Sequence, residues 1–478
     1  MQTNRTVLLI AACAIAVCLL YWCSADRIYD HDCFLFGVAS RGLLEHKVLY
    51  KTTYDNKPPF TILFFVFPQL IAKTSWPVMQ ICFGIWIVLQ SLLLILLLRK
   101  YNLTASLLAG LVMALLPLTR AEFIWPSSEH LSNTFVLLDF ILAYVIWRES
   151  NFSLAQCFIA GAATCAGFHC RQTALIAAVV PAFAVAAAPS TVRCKLAGIA
   201  AGAAGFLIIF LVAAGTVVWL GDWNGYIYTV FVYPSLYAGA VSFEFLLAMG
   251  AGFLSMLAPL LVLSLAPEAL ASRYRWFVLA AGLISIVMAL APLRPYYHYL
   301  ASLLPFLAIV FFIFLDVKGA VVTSRKVKAG VAAGVTAFVL FAALNNVILA
   351  VVNPNAYLLT DVAAEIDKIS GKDDTLFVVG DHGACVYYFA HIPPANMYFA
   401  PMLLDPPWSA ILPEKIEAVL AQYRSRPPTV LTVHTNLLGL KTRLNSLNLV
   451  DEYLRSGAYS IAAEKNGWTI FKRAAPAP

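Results

Sequence analysis

Charged and polar side chains are scarce in this 478-residue sequence, and those that interrupt its apolar runs fall in a few short stretches. Tyr29-Asp30-His31-Asp32-Cys33 is followed by Tyr54-Asp55-Asn56-Lys57-Pro58-Pro59. Further on come Ser127-Ser128-Glu129-His130, then His169 and Arg171, then Arg294-Pro295-Tyr296-Tyr297-His298-Tyr299. Polar groups in or beside lipid are costly, which makes each a candidate for chemistry. A carboxylate within hydrogen-bond reach can take the proton of an acceptor hydroxyl. Lysine and arginine can hold a phosphate whose negative charge grows as it leaves. Tyrosine, apolar in body and polar at its tip, suits sugar faces and lipid headgroups. The set fits transfer of a sugar from a polyprenyl-phosphate carrier, a donor that reaches a compartment without nucleotide sugars through the membrane itself. Asp32, Asp30 and Glu129 are the candidate catalytic carboxylates. Lys57, Arg171, Arg294, His298, Tyr296 and Tyr54 are the candidate contacts to the donor's phosphate or sugar. Each has a plainer alternative: Asp32 as a helix N-cap, Lys57 snorkelling to headgroups, Glu129 as a charge favoured by a helix dipole.

These groups need a scaffold, and the composition says which kind. Hydrophobic residues make up 61%, charged residues 12%, and the mean hydropathy is +0.81. An ordinary soluble protein is about 25% charged, so a cytosolic enzyme, a nucleic-acid binder and a disordered tail protein are excluded. Residues 353–478 hold 11 basic and 12 acidic residues, which leaves an excess of +8 in residues 1–352. That excess sets membrane orientation rather than recruiting nucleic acid. Apolar runs near the ~20 residues of a spanning helix lie at 6–23, 76–98, 103–118, 130–147, 152–168, 173–188, 196–219, 243–266, 276–292, 299–316 and 329–351. They predict about eleven transmembrane helices. With the N-terminus inside, the inner ends carry Arg5, Arg99, Lys100, Arg148, Arg193, Lys195 and six more cations between Arg273 and Lys328. The short opposite loops carry only Arg120, Arg171 and Arg294. Making the proline-rich stretch 58–72 another span would invert everything after it and break the positive-inside rule. It is therefore expected to lie at the interface, within a first outer loop of about 24–75.

From Asn353 the texture changes. Buried strands at 376–379 and 429–433, helices at 411–424 and 440–455, and a terminal strand pair at 459–463 and 468–471 predict a small extracytoplasmic α/β domain over 353–478. The rest, 1–352, is the transmembrane catalytic domain. No CxxC pair or metal spacing occurs among the ten cysteines, and a Cys33–Cys385 disulfide is one open pairing. The acidic residues could hold a divalent ion, although no ligand spacing demands one, and no other cofactor is implied.

One resemblance is specific. Asp32, Leu44-Glu45, Leu49-Tyr50 and Asp55-Asn56-Lys57-Pro58-Pro59 resemble the first-loop signature of the GT-C membrane glycosyltransferases, in particular the bacterial family similar to protein O-mannosyltransferases and the lipid A aminoarabinose transferase. Glu129 opening a span, Arg171 before Gln172-Thr173-Ala174, and Arg294 to Tyr299 ahead of Leu303-Leu304-Pro305 are similar as well. The sequence departs from the family at Cys33, where an acidic residue usually follows the aspartate, and at His46, where a turn glycine is usual. Counting back from Leu44-Glu45 favours Asp32 over Asp30 as the base. The resemblance implies a polytopic α-helical GT-C-like fold in a bacterial inner membrane. It also implies an inverting transfer from a polyprenyl-phosphate sugar to a glycolipid, polysaccharide or protein acceptor, with membrane lipids as further partners. The competing readings are a lipid-linked sugar flippase or transporter and a non-catalytic glycolipid-binding subunit. Transporters often show paired repeats and polar residues near the bilayer midplane; here repeats are absent and the polar residues crowd one face.

The charge asymmetry makes a topology prediction. Alkaline phosphatase fused after residue 352 is expected to be active in cells and the same fusion at Asn151 inactive; the reverse pattern would overturn the orientation.

Overall fold

The computed structural model describes residues 2–24, 32–52, 57–120, 123–237, 250, 274–293, 296–316, 325–352, 359–380, 383–396, 404–405, 413–440 and 444–474. The predicted span at 243–266 lies outside the described residues apart from Gly250, and Asp30, Tyr54 and Arg294 lie outside them too. The remaining predicted spans all fall on helices. In chain order these are α1 (Gln2–Cys23), α2 (Asp32–Leu44), α3 (Pro59–Ile71), α4 (Trp76–Leu98), α5 (Leu103–Leu115), α6 (Ser128–Glu149), α7 (Leu154–Cys170), α8 (Val179–Ala187), α9 (Val192–Leu220), α10 (Trp223–Ile227), α11 (Tyr233–Tyr237), α12 (Arg275–Leu290), α13 (Leu304–Asp316) and α14 (Arg325–Val352).

Four described helical stretches are long and apolar enough to cross a membrane: Trp76–Leu98, Ser128–Glu149, Val192–Leu220 and the continuous Tyr297–Asp316. Seven further apolar stretches have 10–17 residues. Two of these lie within longer helices, α1 of 22 residues and α14 of 28, and the others are short in themselves. Tight 3-10 turns do much of the shortening, at Leu116–Thr119 after α5 and at Gln172–Ala178 after α7. The proline-rich stretch 58–72 forms α3, whose 13 residues rise only about 20 Å, too short to span.

Burial separates the helices by role. α13 lies in the centre of the bundle, with every residue from Leu304 to Phe314 buried. α9 lies at the edge, with Leu207, Leu211, Val218 and Trp219 exposed. α9 adheres to α7 through backbone contact. A Cβ on Gly161 would come within 1.8 Å of the Gly202 carbonyl oxygen, and one on Gly205 within 2.0 Å of the Phe158 carbonyl oxygen. Small residues let helices pack this closely in lipid, where burying apolar surface gives no driving force. At the far end of α6 from Glu129, Arg148 forms an ion pair with Asp316 of α13. Tyr144 donates to the same carboxylate at 2.9 Å, and the guanidinium lies 4.2 Å from the Tyr101 ring centroid. That network fixes α6 against α13.

The C-terminal part contains α15 (Thr360–Ile369), α16 (Gly383–Phe389), α17 (Pro413–Ser425) and α18 (Asn445–Arg455). They accompany β1 (Leu376–Val379), β2 (Val430–His434), β3 (Tyr459–Lys465) and β4 (Trp468–Arg473). The sheet order is β1-β2-β4-β3, with β1 and β2 parallel and the other pairs antiparallel. These strands match the predicted ones closely. Alternation along them divides the core. Phe377, Val379, Leu431, Val433 and Phe471 face α17 and α18. Leu376, Val378, Val430, Trp468 and Ile470 face α15 and α16, in one core with Phe34, Phe36 and Trp76.

The α/β unit is therefore continuous with the first loop of the membrane part. Phe34 lies 5.4 Å from Tyr388 and 4.6 Å from Trp76, ring centroid to centroid. Gly37 admits the Tyr388 ring, which a Cβ would approach to 2.5 Å. Arg41 completes the seam by donating to the carbonyl oxygens of Tyr387, Tyr388 and Ala390 at 2.9, 3.2 and 2.7 Å, at the C-terminal end of α16. A cation there satisfies orphan carbonyls and complements the helix dipole. After α2 the chain turns through His46, whose φ of 60° is the left-handed conformation expected of a glycine. All ten cysteines are free thiols, so Cys33 and Cys385 are not joined.

The α7–α9 contact yields a stability prediction. Gly161→Ala is expected to cost about 1–3 kcal/mol, because backbone must move to admit the methyl group, and to lower the melting temperature in detergent. Gly215→Ala, where nothing lies within 4 Å of the new Cβ, should leave it unchanged or slightly raised.

Candidate functional site

The site assembles at the ends of four elements. α6 starts with Ser127 as its N-cap, the side chain accepting from the His130 amide at 3.4 Å, which places Glu129 in the first turn. α7 ends at Cys170, and the extended backbone of Arg171 (φ −154°, ψ 128°) turns its side chain back into the bundle. Tyr297–Leu303 is a 3-10 turn leading into α13. Lys57 stands directly before Pro58 and the start of α3.

Arg171 is the centre of the arrangement. Its side chain is 5% exposed, and its Nε lies 3.2 Å from Oε1 of Glu129, itself 2% exposed. Nη1 donates to Ser302 Oγ at 2.6 Å, and the guanidinium carbon sits 4.7 Å from the Tyr299 ring centroid. Among the described residues Nη2 has no hydrogen-bond partner. Glu129 also feels the charges of Lys57 and His298, so the structure brings Glu129, Lys57, Arg171 and His298 together. Tyr296 stacks on His298, with ring centroids 5.7 Å apart and planes 9° from parallel. Asn133 of α6 donates to the Ala301 carbonyl oxygen at 2.8 Å and so holds the 3-10 turn against α6.

Lys57 is positioned from both sides. Tyr50, at φ 65°, donates from its hydroxyl to the Lys57 carbonyl oxygen at 2.9 Å. One turn into α3, Thr61 donates to the Cys170 carbonyl oxygen at 2.7 Å, tying α3 to the residue before Arg171. The loop is anchored again where the Leu49 and Asp222 amides pair with the Leu220 and Leu49 carbonyl oxygens at 3.0 and 2.8 Å.

Asp32 opens α2 and is partly buried. Phe36 packs on Phe65 at 5.4 Å, and further along both helices Gln69 donates to the Gly37 carbonyl oxygen at 2.8 Å and to Ser40 Oγ at 2.5 Å. α2 is thereby packed on α3, the helix that follows Lys57.

Two other polar residues in the helices have structural surroundings. Asp139 accepts from Thr164 at 2.8 Å, and His169 sits among Phe60, Phe168, Phe210 and Tyr226. Sequence reasoning missed Ser302 as a partner of Arg171. The available signal was its spacing from Tyr299, because side chains three apart in a 3-10 turn eclipse one another.

Chemically, the cluster has two permanent cations, Lys57 and Arg171, and one committed carboxylate, Glu129. Lys57 and the open face of Arg171 suit an anion. Among the described residues no three His, Cys, Asp or Glu side chains converge as metal ligands.

No protein-family model and no curated protein matches the chain by sequence. Among solved structures it is similar to ArnT from Cupriavidus metallidurans bound to undecaprenyl phosphate, with a TM-score of 0.66 and 13% identity over 99% of this chain and 98% of that one. The apo form of the same protein gives a TM-score of 0.65 and 12% identity over 98% of both chains. The match covers both the membrane part and the C-terminal α/β unit, so the chain shares the overall fold of that structure.

Proposed function

We propose that the protein is a glycosyltransferase that moves a sugar from a polyprenyl-phosphate carrier to a glycolipid, polysaccharide or protein acceptor at the outer face of the inner membrane, with inversion at the anomeric carbon. The observation that carries this reading is Arg171. It is a buried guanidinium held on three sides by Glu129, Ser302 and Tyr299, with an N–H group still open among the described residues. A buried guanidinium with an unused donor, at the bundle end where the polar residues collect, is built for a phosphate oxygen. The structure of ArnT with undecaprenyl phosphate is consistent with a carrier of that kind.

In the reaction the acceptor hydroxyl oxygen bonds to the anomeric carbon as the bond from that carbon to the phosphate oxygen breaks. The electron pair leaves with the polyprenyl phosphate, and the hydroxyl proton passes to a carboxylate. Asp32 takes that proton. Glu129 is committed to Arg171 and acts by aiming it, while Asp32 opens α2, which packs on α3, the helix that follows Lys57. Lys57 and Arg171 stabilise the charge that develops on the leaving phosphate. Pro58 and the Tyr50 bond to its carbonyl oxygen hold the Lys57 backbone in place before the donor arrives. His298, stacked on Tyr296, faces the same cluster and contacts the phosphate or the sugar.

Two substitutions test the assignment. Asp32→Asn should lower kcat by about 10²–10⁴-fold in a purified transfer assay while leaving donor binding intact; full activity would sink the base assignment. Arg171→Lys keeps the charge but loses the planar fork and the Ser302 bond. It should lower kcat by about 10²–10³-fold, the cost of removing one oriented donor to a developing negative charge. An unchanged kcat with only a lower melting temperature would make Arg171 structural.

A further inference from the structure

A second polar site lies at the seam between α2 with its following turn and the C-terminal α/β unit. A cavity of about 640 Å³ opens there, walled by Arg41, Lys47, Lys51 and Arg426 and by the amides of Asn396 and Gln422. Among the described residues four cations and no carboxylate line it. Glu45 pairs with Lys47 at 2.9 Å and Arg41 at 3.7 Å. Among the described residues Lys51 and Arg426 have no ion-pair partner, and both are exposed.

The volume falls within the ~300–1,000 Å³ of small-molecule sites and is more room than a lone phosphate needs. Asn396 and Gln422 hydrogen-bond to each other at 2.8 Å, a paired amide edge able to meet hydroxyl groups, and Pro393 and Pro394 add apolar faces. Cations, amides and flat apolar surface together match a saccharide that carries acid groups. We infer that this cavity binds an acidic saccharide segment of the acceptor, bearing carboxylate or phosphate groups, apart from the donor's phosphate.

The helix gives the spacing. Arg41 follows Asp32 by nine residues of α2, which at about 1.5 Å per residue separates them by about 14 Å along the axis. An acceptor held by its acid groups in the cavity would present a hydroxyl to Asp32 about that far away. Arg41 is bonded both to the cavity wall's neighbouring carbonyls and, through α2, to the helix that carries the base, so a filled cavity would also fix the position of α2. That the ligand is the acceptor rests on the transferase reading above; the binding of an acidic saccharide does not.

The test uses the full chain in phosphatidylcholine nanodiscs and calorimetry with tetragalacturonate, neutral tetragalactose and inorganic pyrophosphate. Tetragalacturonate is expected to bind, more weakly as salt is raised. Lys51→Glu combined with Arg426→Glu, both at exposed positions, should weaken it at least tenfold with the melting temperature unchanged. Asp32→Asn should bind it as the wild type does. Equal binding by the charge-reversed protein, equal binding of tetragalactose, binding of pyrophosphate alone, or loss of the tetragalacturonate signal when phosphatidylglycerol is added to the discs would each overturn the inference. Tetragalacturonate binding by a wild type that transfers no sugar would overturn the transferase reading and leave the cavity standing. Sugar transfer without any tetragalacturonate binding would do the opposite.

Discussion

A guanidinium cannot be buried in an apolar bundle without partners, and much of this structure is arranged around the partners of Arg171. Removing one member of a buried pair costs about 3–5 kcal/mol, because the other charge is left uncompensated. Glu129 supplies the charge, Ser302 a hydrogen-bond acceptor and Tyr299 an aromatic face. Each comes from an element that must then be held in register. The Asn133 bond fixes the 3-10 turn to α6, the Arg148–Asp316 network fixes the other end of α6 to α13, and the Thr61 bond brings α3 to the end of α7. The site is where these restraints meet.

α2 transmits the arrangement beyond the bundle. One face packs on α3 through Phe36 and Gln69, another receives Tyr388 against Phe34 and Gly37, and Arg41 grips the end of α16. The helix that carries Asp32 is thus positioned by the membrane part and by the C-terminal sheet together. A change in the α/β unit can reach Asp32 through a short chain of packed side chains, without crossing the bundle.

Much of the fold was legible in the sequence for simple reasons. Apolar runs of spanning length announce membrane helices, and the cations at their ends assign them sides. Leu376–Val379 reads as a buried strand because four apolar residues stand between turn signals, and β1 lies there. The positive-inside rule demoted the proline-rich 58–72 from a span, and the structure has a 13-residue helix in that stretch. The division at residue 353 was clear in composition. It concealed the shared core, because the alternate residues of β1 that face α2 look in sequence like those that face α17 and α18.

The candidate site was legible in its residue types and not in its pairings. Lys57, Glu129, Arg171 and His298 stood out because polar residues are expensive in such a chain, and that cost is a local property. Which of them meet is not local. Glu129 and Arg171 lie 42 positions apart, Arg171 and Ser302 131 apart, and Arg41 reaches carbonyls 346 to 349 residues away. Helix periodicity says which face a side chain occupies on its own helix and nothing about which other helix lies opposite. The sequence alone therefore determined the solvent, the expected orientation and the inventory of reactive groups. The tertiary structure decided that Glu129 is spent on Arg171, that the C-terminal sheet packs on the helix bearing Asp32, and that Arg426 joins Arg41, Lys47 and Lys51 at one cavity. Those outcomes depend on contacts between helices and strands far apart in the chain, set by close backbone approach and by the need to compensate each buried charge.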